Sequence, residues 1–147
     1  LRTTVIVGFP GETDEDFTEL CEFVKETEFD RFGAFTFSRE EGTPAYDFED
    51  QIDAQTAQDR YDILMREQLD ISEAASKAMI GKKLTVLSEG YDQVAESYYG
   101  RSYADAPDID GKIYFSSNGR KIADGEFVTV EITEALDYDL VGKVIAD

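Results

Sequence analysis

The stretch that decides the fold is TVIVGFPGETDEDF, residues 4–17. Val5, Ile6 and Val7 form an unbroken apolar run, which is typical of a buried parallel strand, and the glycines and proline of residues 8–11 end it. Ligands of parallel α/β folds bind at the carboxyl ends of the strands, where this loop lies. A loop that only reverses the chain has the same composition, so the pattern alone leaves both interpretations open.

A helix is predicted directly after this loop. Thr13 stands at the N-cap position, and Asp16, three residues later, completes a capping box. The helix runs to about Glu28, and one face is apolar; its residues are Phe17, Leu20, Cys21 and Val24. A metal or redox role for Cys21 requires a second thiol or an imidazole, so the favoured interpretation is a small buried hydrophobic side chain.

Acidic residues dominate the composition. The 147 residues include 33 acids and 14 bases, a formal charge of -19, and 41% of them are hydrophobic. Such a charge repels the phosphates of nucleic acids and membranes and favours basic partners. One cysteine and no histidine exclude a disulfide framework, a zinc site and a Ser-His or Cys-His catalytic pair. Without a signal peptide or a long apolar run, we expect a soluble, cytoplasmic protein.

The first half of the chain continues with a second strand and a long helix. Residues 29–38 are rich in aromatic and small side chains, which favours a strand, and residues 40–46 form a turn in which Pro44 keeps Thr43 out of the helical region. Residues 53–79 are predicted as a helix whose apolar stripe consists of Ala57, Tyr61, Leu64, Ile71, Ala75 and Ala78. A coiled-coil arm is an alternative, but polar Gln68 interrupts the stripe, so packing on the preceding domain is favoured.

The second half has the alternating pattern of short strands. They are predicted at residues 82–89, 96–103, 112–116, 126–133 and 138–144, separated by Gly, Asp, Asn and Pro turns. Five strands in a segment of this length indicate a small OB-like barrel, a fold that commonly binds nucleic acid or peptides. Residues 81–147 hold seven bases and thirteen acids, a net charge of -6, whereas an RNA-binding barrel usually has a basic face.

Four segments carry a resemblance to a known family. They are TVIVGFPGETDEDF (4–17), FDRFGAFTFSREEGTPA (29–45), GRSYADAPDIDG (100–111) and DYDLVG (137–142). The chain resembles the C-terminal half of the radical S-adenosylmethionine methylthiotransferases, and within them the RimO type. The tRNA-modifying MiaB type typically has a Pro-Arg-Pro-Gly-like turn where this chain has REEG (39–42), and it lacks the YADAPDIDG pattern.

The resemblance implies a fold and a division into domains. Residues 1–80 would be an α/β fragment, namely the last strands and helices of a radical-SAM partial TIM-like barrel with a long connecting helix. Residues 81–147 would be a TRAM domain, a small all-β OB-like barrel with five strands. Because the chain starts within a strand, and one βαβ unit cannot close a parallel sheet, we expect it to be a fragment of a larger protein.

The resemblance also implies cofactors and the residues that contact them. Of the superfamily's G-x-I-x-G-x-x-E strand, Ile6 and Gly8 are retained, whereas Thr4 and Gly11 replace its first glycine and its glutamate. The predicted S-adenosylmethionine contacts are Thr4, Ile6, Gly8, Phe37 and Ser38. Two 4Fe-4S clusters belong to the intact protein, but the cysteines that ligate them are absent here. We expect this chain to bind neither clusters nor S-adenosylmethionine by itself, to contain no catalytic residue and to be inactive.

The implied activity is methylthiolation of the β-carbon of an aspartate in the twelfth small-subunit ribosomal protein. A basic ribosomal protein, possibly within the ribosome, would suit an acidic barrel, with Asp105, Asp108 and Asp110 as the predicted docking residues. Their turn-forming chemistry is an equally good explanation of these aspartates. Two other functions stay open, a tRNA methylthiotransferase of the MiaB type and a binding module without chemistry of its own; RNA is the less favoured partner, and no membrane is expected.

Overall fold

The computed structural model describes residues 1–107 and 110–146. They form two compact units, a first unit at Leu1–Ser72 and a second unit at Glu73–Asp147. In chain order the elements are β1 (Arg2–Val7), α1 (Asp14–Thr27), β2 (Arg31–Thr36), a short 3-10 helix (Pro44–Asp47), α2 (Ala54–Ala78), β3 (Lys83–Asp92), β4 (Ser97–Arg101), β5 (Ile113–Ser116), β6 (Phe127–Ala135) and β7 (Leu140–Val144).

The first unit is built on one parallel strand pair. β1 and β2 pair in register from Arg2 opposite Arg31 to Val7 opposite Thr36, and α1 forms the connection between them. The predicted capping box is confirmed, because Thr13 Oγ1 accepts from the Asp16 amide at 3.1 Å and Asp16 accepts from the Thr13 amide at 3.0 Å. These two hydrogen bonds satisfy helix-end donors that no intrahelical carbonyl reaches.

The core of the first unit lies between this strand pair and the two helices. Its buried members are Val7, Cys21, Val24, Ala34 and Leu64, and Phe17 and Leu20 pack against them. The predicted apolar face of α1 is therefore confirmed. Burial raises the pKa of the Cys21 thiol above its ordinary value of 9.0, as expected of a cysteine that acts as a core side chain.

The long helix α2 packs on the first unit, as the sequence favours. Asp53 caps it by accepting from the Thr56 amide at 2.9 Å, and Leu64 lies fully buried in the core of the unit. Gln68 does not interrupt the buried stripe but belongs to it. It is 3% exposed and donates through Nε2 to the Phe29 carbonyl at 3.2 Å, so a polar side chain is accommodated there by a hydrogen bond.

The second unit is a closed barrel with the strand order β3-β4-β5-β7-β6. All neighbouring pairs are antiparallel except β5 and β7, which are parallel. The barrel interior is filled by apolar side chains that alternate along the strands, namely Leu84, Val86, Ile113, Phe115, Ile122, Val128, Val130 and Ile132. The prediction of five strands forming an OB-like barrel is confirmed, and the observed strand ends lie within three residues of those predicted.

The strand prediction for residues 5–7 needs one correction. Val7 is fully buried, but Ile6 is 56% exposed and Val5 is only half-buried. The apolar run reflects a strand with apolar side chains on both faces, of which the described residues cover only one. We call the face that carries Ile6, opposite to the face covered by the helices, the outer face of β1 and β2.

Candidate functional site

The loop from Gly8 to Glu12 connects β1 to α1 at the carboxyl end of the strand. The Gly8 amide donates to Glu12 Oε1 at 3.0 Å, and the Gly11 amide donates to the Asp50 carbonyl at 2.9 Å. Gly8 has φ +77°, and a Cβ there would lie 2.5 Å from Cβ of Ala57 in α2. Only glycine meets both the backbone conformation and the close approach of α2.

Arg60 of α2 holds this loop in place. Its Nη1 donates to Glu12 Oε1 at 2.8 Å and to the Glu12 carbonyl at 3.0 Å, and Nη2 donates to Asp14 Oδ1 at 2.9 Å. Arg60 is 6% exposed. Burial alone would lower the pKa of Arg60, but the hydrogen bonds and charges of Glu12 and Asp14 outweigh it and raise that pKa. The guanidinium therefore stays charged and ties α2 to the loop.

Sequence analysis missed this role of Arg60. It assigned no partner to the acids Glu12 and Asp14, which pair with the buried Arg60. One signal was present, since Arg60 lies between Ala57 and Leu64 with helical spacing and so belongs to the buried stripe. An arginine inside an apolar stripe requires acidic partners on the facing segment.

Of the predicted cofactor contacts, Thr4 and Ile6 lie together on the outer face. Thr4 is opposite Gly33 and Ile6 is opposite Phe35 in the parallel register, and Phe35 is 65% exposed. A Cβ on Gly33 would lie 3.6 Å from Thr4 Oγ1, an ordinary contact distance. Ile6 and Phe35 are thus neighbouring exposed apolar side chains on this face.

Gly8, Phe37 and Ser38 lie at the carboxyl edge of the same strand pair. Gly8 is buried, whereas Phe37 is half-buried and packs edge-on against Phe9, with ring centroids 5.2 Å apart. The Phe37 amide donates to the Val7 carbonyl at 2.8 Å, which holds its backbone beside β1. Ser38 is exposed and its hydroxyl donates to the Glu40 carboxylate. All five predicted contacts thus belong to one strand pair and its carboxyl edge.

The predicted docking aspartates take part in the turn before β5. Asp105 Oδ2 accepts from the Ser102 amide at 3.0 Å, and Asp110 Oδ2 accepts from the Ala106 amide at 2.7 Å. Asp108 lies outside the described residues. Turn formation is therefore one role of Asp105 and Asp110, as their sequence context allows. A docking role for them stays a prediction.

Two grooves mark the surface of the barrel. The first, of about 330 Å³, we call the Tyr98 groove; it is lined by Tyr91, Glu96, Ser97, Tyr98, Phe115, Ser116, Ser117, Gly119, Arg120 and Lys121. The second, of about 470 Å³, we call the Arg101 groove; it is lined by Glu89, Tyr99, Arg101, Ala106, Asp110, Gly111 and Lys112. Four of the seven bases of residues 81–147 are divided between them, with Arg120 and Lys121 in the first groove and Arg101 and Lys112 in the second.

Residues 1–107 and 110–146 contain no group of three or more His, Cys, Asp or Glu side chains placed to hold a metal ion. Within the same described ranges, no helix has the length and apolar character needed to cross a membrane.

Comparison with known proteins places these features in context. The TRAM domain family matches residues 80–145. The chain is 48% identical over 145 residues to the ribosomal protein uS12 methylthiotransferase RimO of Acetivibrio thermocellus, 47% identical over 146 residues to that of Geotalea uraniireducens, and 50% identical over 144 residues to that of a Clostridium perfringens strain. These alignments cover 98–99% of the chain and 32% of each relative.

The chain thus spans about a third of the length of the curated relatives it matches. The match includes both units and is not confined to the barrel, which confirms the resemblance to the RimO type that the four sequence segments carry. Residues 80–145 thus match the TRAM domain family, and nearly the whole chain is similar to a part of the RimO-type methylthiotransferases.

Proposed function

We propose that this chain is part of a radical S-adenosylmethionine methylthiotransferase that modifies the β-carbon of an aspartate in ribosomal protein uS12. Residues 1–80 would complete the radical-SAM barrel, and residues 81–147 would dock the substrate. The observation that carries the proposal is identity of 47–50% to RimO proteins along 98–99% of the chain. Since the chain covers 32% of those relatives, the activity would belong to the longer protein.

The first unit supports the barrel assignment by what it leaves uncovered. A parallel strand pair with a helix crossover is the repeating unit of TIM-like barrels, and in such barrels one face of each strand points to the interior. The helices of this unit cover only the face of β1 that carries Val7, and Ile6 and Phe35 are 56% and 65% exposed on the other. Further strands of the intact protein would cover them.

The residues at the carboxyl edge suit S-adenosylmethionine. Ile6 offers an exposed apolar side chain at this edge, and ligand sites consist mostly of apolar walls with a few polar groups. Thr4 and Ser38 would add hydroxyl groups, and Phe37 an aromatic wall. When bound, S-adenosylmethionine supplies the methyl group and the radical chemistry. Arg60 and Glu12 hold the loop that would position it.

The same residues do not suit an iron–sulfur cluster. A cluster requires several thiolates, and Cys21 is the only cysteine and is buried. We therefore expect this chain to be inactive alone. Anaerobic reconstitution of the chain with iron and sulfide should give no stoichiometric cluster absorbance. Absorbance that is lost on Cys21→Ser would contradict this expectation.

The docking role of the barrel has a direct test. The chain should bind purified uS12 in preference to a tRNA anticodon stem-loop, and binding should weaken with added salt, because exposed charges are screened beyond about 10 Å at 0.1 M. The triple variant Asp105→Asn, Asp108→Asn, Asp110→Asn should slow association more than it speeds dissociation, since rim charges act mainly on encounter. Stopped-flow or surface-plasmon measurement across a salt series gives both rates.

A MiaB-type tRNA substrate is the second candidate, and the Tyr98 groove is the observation that favours it. There Tyr91, which is 51% exposed, packs edge-on against Tyr98 with centroids 5.1 Å apart, and Arg120 and Lys121 line the same groove. Proteins that bind single-stranded nucleic acid usually combine aromatic rings with neighbouring arginine or lysine side chains. Binding of the stem-loop at micromolar concentration or below, without binding of uS12, would establish this second function and reject the first.

A further inference from the structure

The Arg101 groove has an arrangement that turn formation and barrel folding do not explain. The pairing of β3 with β4 shifts register between Ser88 and Gly90, which makes Glu89 the extra residue of a β-bulge. Tyr99 lies across Gly90, where a Cβ would meet the Tyr99 hydroxyl at 2.8 Å. Bulges re-aim side chains and are enriched at functional sites. Here the bulge and the missing side chain allow Glu89 and Tyr99 to line one cavity of about 470 Å³.

Both bases of this groove lack a close carboxylate partner among the described residues. Arg101 Nε is buried without a hydrogen bond, and the nearest carboxylate oxygen, Glu89 Oε2, is 3.9 Å away. Lys112 Nζ lies 4.3 Å from the centroid of the Tyr99 ring and forms no ion pair within the described part of the chain. A buried guanidinium nitrogen without an acceptor is costly, and an incoming anion would remove that cost.

We propose that the Arg101 groove binds a side-chain carboxylate on a segment of the protein partner, with Arg101 donating through its Nε edge and Lys112 supplying a second positive charge. The inference rests on the proposed function, in which the barrel docks a protein. In that function the acidic chain attracts a basic partner, and the inference adds one carboxylate of that partner, which would bind in the groove.

The charge of the chain selects a carboxylate over a nucleic acid phosphate. Residues 81–147 carry a net charge of -6 and the chain -19. A polyanion would meet this repulsion along its length, whereas a single carboxylate on a basic protein surface would not.

The first test uses small probes on the whole chain. N-acetyl-aspartate N-methylamide should shift the amide resonances of Tyr99, Arg101 and Lys112 at millimolar concentration, and its asparagine counterpart should not. Inorganic phosphate is the third probe. Shifts from the asparagine compound as large as those from the aspartate compound, or shifts from phosphate alone, would overturn the proposal.

Variants with matched controls localise the binding. Arg101→Lys keeps the charge but loses the planar edge, and it should weaken aspartate binding about tenfold. Arg120→Lys makes the same change in the Tyr98 groove and should leave binding unchanged. Dispersed amide spectra establish that each variant is folded. If Arg101→Lys does not fold, Lys112→Met in the Arg101 groove is compared with Lys121→Met in the Tyr98 groove. Equal binding by the groove variants and their controls would overturn the proposal.

Titration with uS12 separates this inference from the function on which it rests. Weaker binding of uS12 by Arg101→Lys, with Arg120→Lys unchanged, supports both. Binding of uS12 that Arg101→Lys leaves unchanged would reject the groove but retain the docking function. Aspartate-probe binding in the groove without any binding of uS12 would retain the groove and reject the docking function.

Discussion

The two units differ in how completely the side chains of their strands are buried. In the first unit β1 and β2 each pair with one other strand among the described residues, and Ile6 and Phe35 on the outer face are 56% and 65% exposed. In the second unit five strands close on themselves, and Val86, Phe115 and Val130 are fully buried. A closed barrel has no open strand edge and encloses its own core, whereas a two-stranded sheet has little stability of its own. The first unit therefore leaves apolar strand surface exposed, whereas the barrel buries its own.

The largest effect that tests this contrast comes from one substitution made in both units. Phe115→Ala removes a ring that is fully buried in the barrel, and it should cost about 4 kcal/mol of unfolding free energy because it leaves a cavity. Phe35→Ala on the outer face is the matched control and should cost well below about 1 kcal/mol. Hydrogen exchange measured peptide by peptide assigns each loss to its unit. Equal losses would mean that the outer face is covered within this chain.

A smaller effect is expected at the Arg60 clamp, by which we mean Arg60 and its partners Glu12 and Asp14 on the β1–α1 loop. Arg60→Leu leaves Glu12, whose side chain is 13% exposed, without its cationic partner, and it should destabilise the first unit by about 3 kcal/mol. Arg66→Leu, at an exposed position of the same helix, is the control and should have little effect. The barrel peptides should be unaffected in either variant.

A double variant separates charge from packing at this clamp. Glu12→Gln combined with Arg60→Leu should lose less stability than the two single variants added together, because neutral glutamine removes the unpaired buried charge. Additive losses would indicate that Arg60 acts by its bulk and not by its charge. Urea titration of the first-unit peptides by hydrogen exchange gives each free energy.

The clamp also shows what sequence analysis could and could not reach. The Thr13 capping box and the five barrel strands could be predicted from the sequence. Helix caps, turns and the alternation of apolar and polar side chains depend on residues that are close together in the chain. Arg60 and Glu12 are 48 residues apart, and no local pattern announces their pairing. Exposure of Ile6 was missed for a related reason, since an apolar run does not say which face neighbouring chain covers.

The candidate sites likewise differ in whether nearby residues in the sequence were enough to predict them. Register placed Thr4 and Ile6 together on one face, as expected of alternate residues in one strand. The Arg101 groove was not foreseen, because it needs a bulge at Glu89, the glycine at position 90 and the turn before β5 to meet in space. A bulge depends on the pairing of two strands and leaves no fixed signature in either.

The smallest predicted effect concerns the pH dependence of the first unit and rests on Cys21. Burial raises the pKa of this thiol above its ordinary value of 9.0, so the folded state holds the proton more tightly than the unfolded state does. The stabilisation is complete below pH 9.0 and is lost as the pH rises from there through the higher pKa of the folded state. Cys21→Ala should cost stability at pH 7 by leaving a small cavity, yet should abolish the part of the alkaline decline that comes from the thiol. Urea unfolding of the first unit between pH 7 and 10.5, compared for the two proteins, measures this difference in slope. Identical slopes above pH 9.0 would show that the thiol ionises as readily in the folded chain as in the unfolded one, which would contradict the raised pKa.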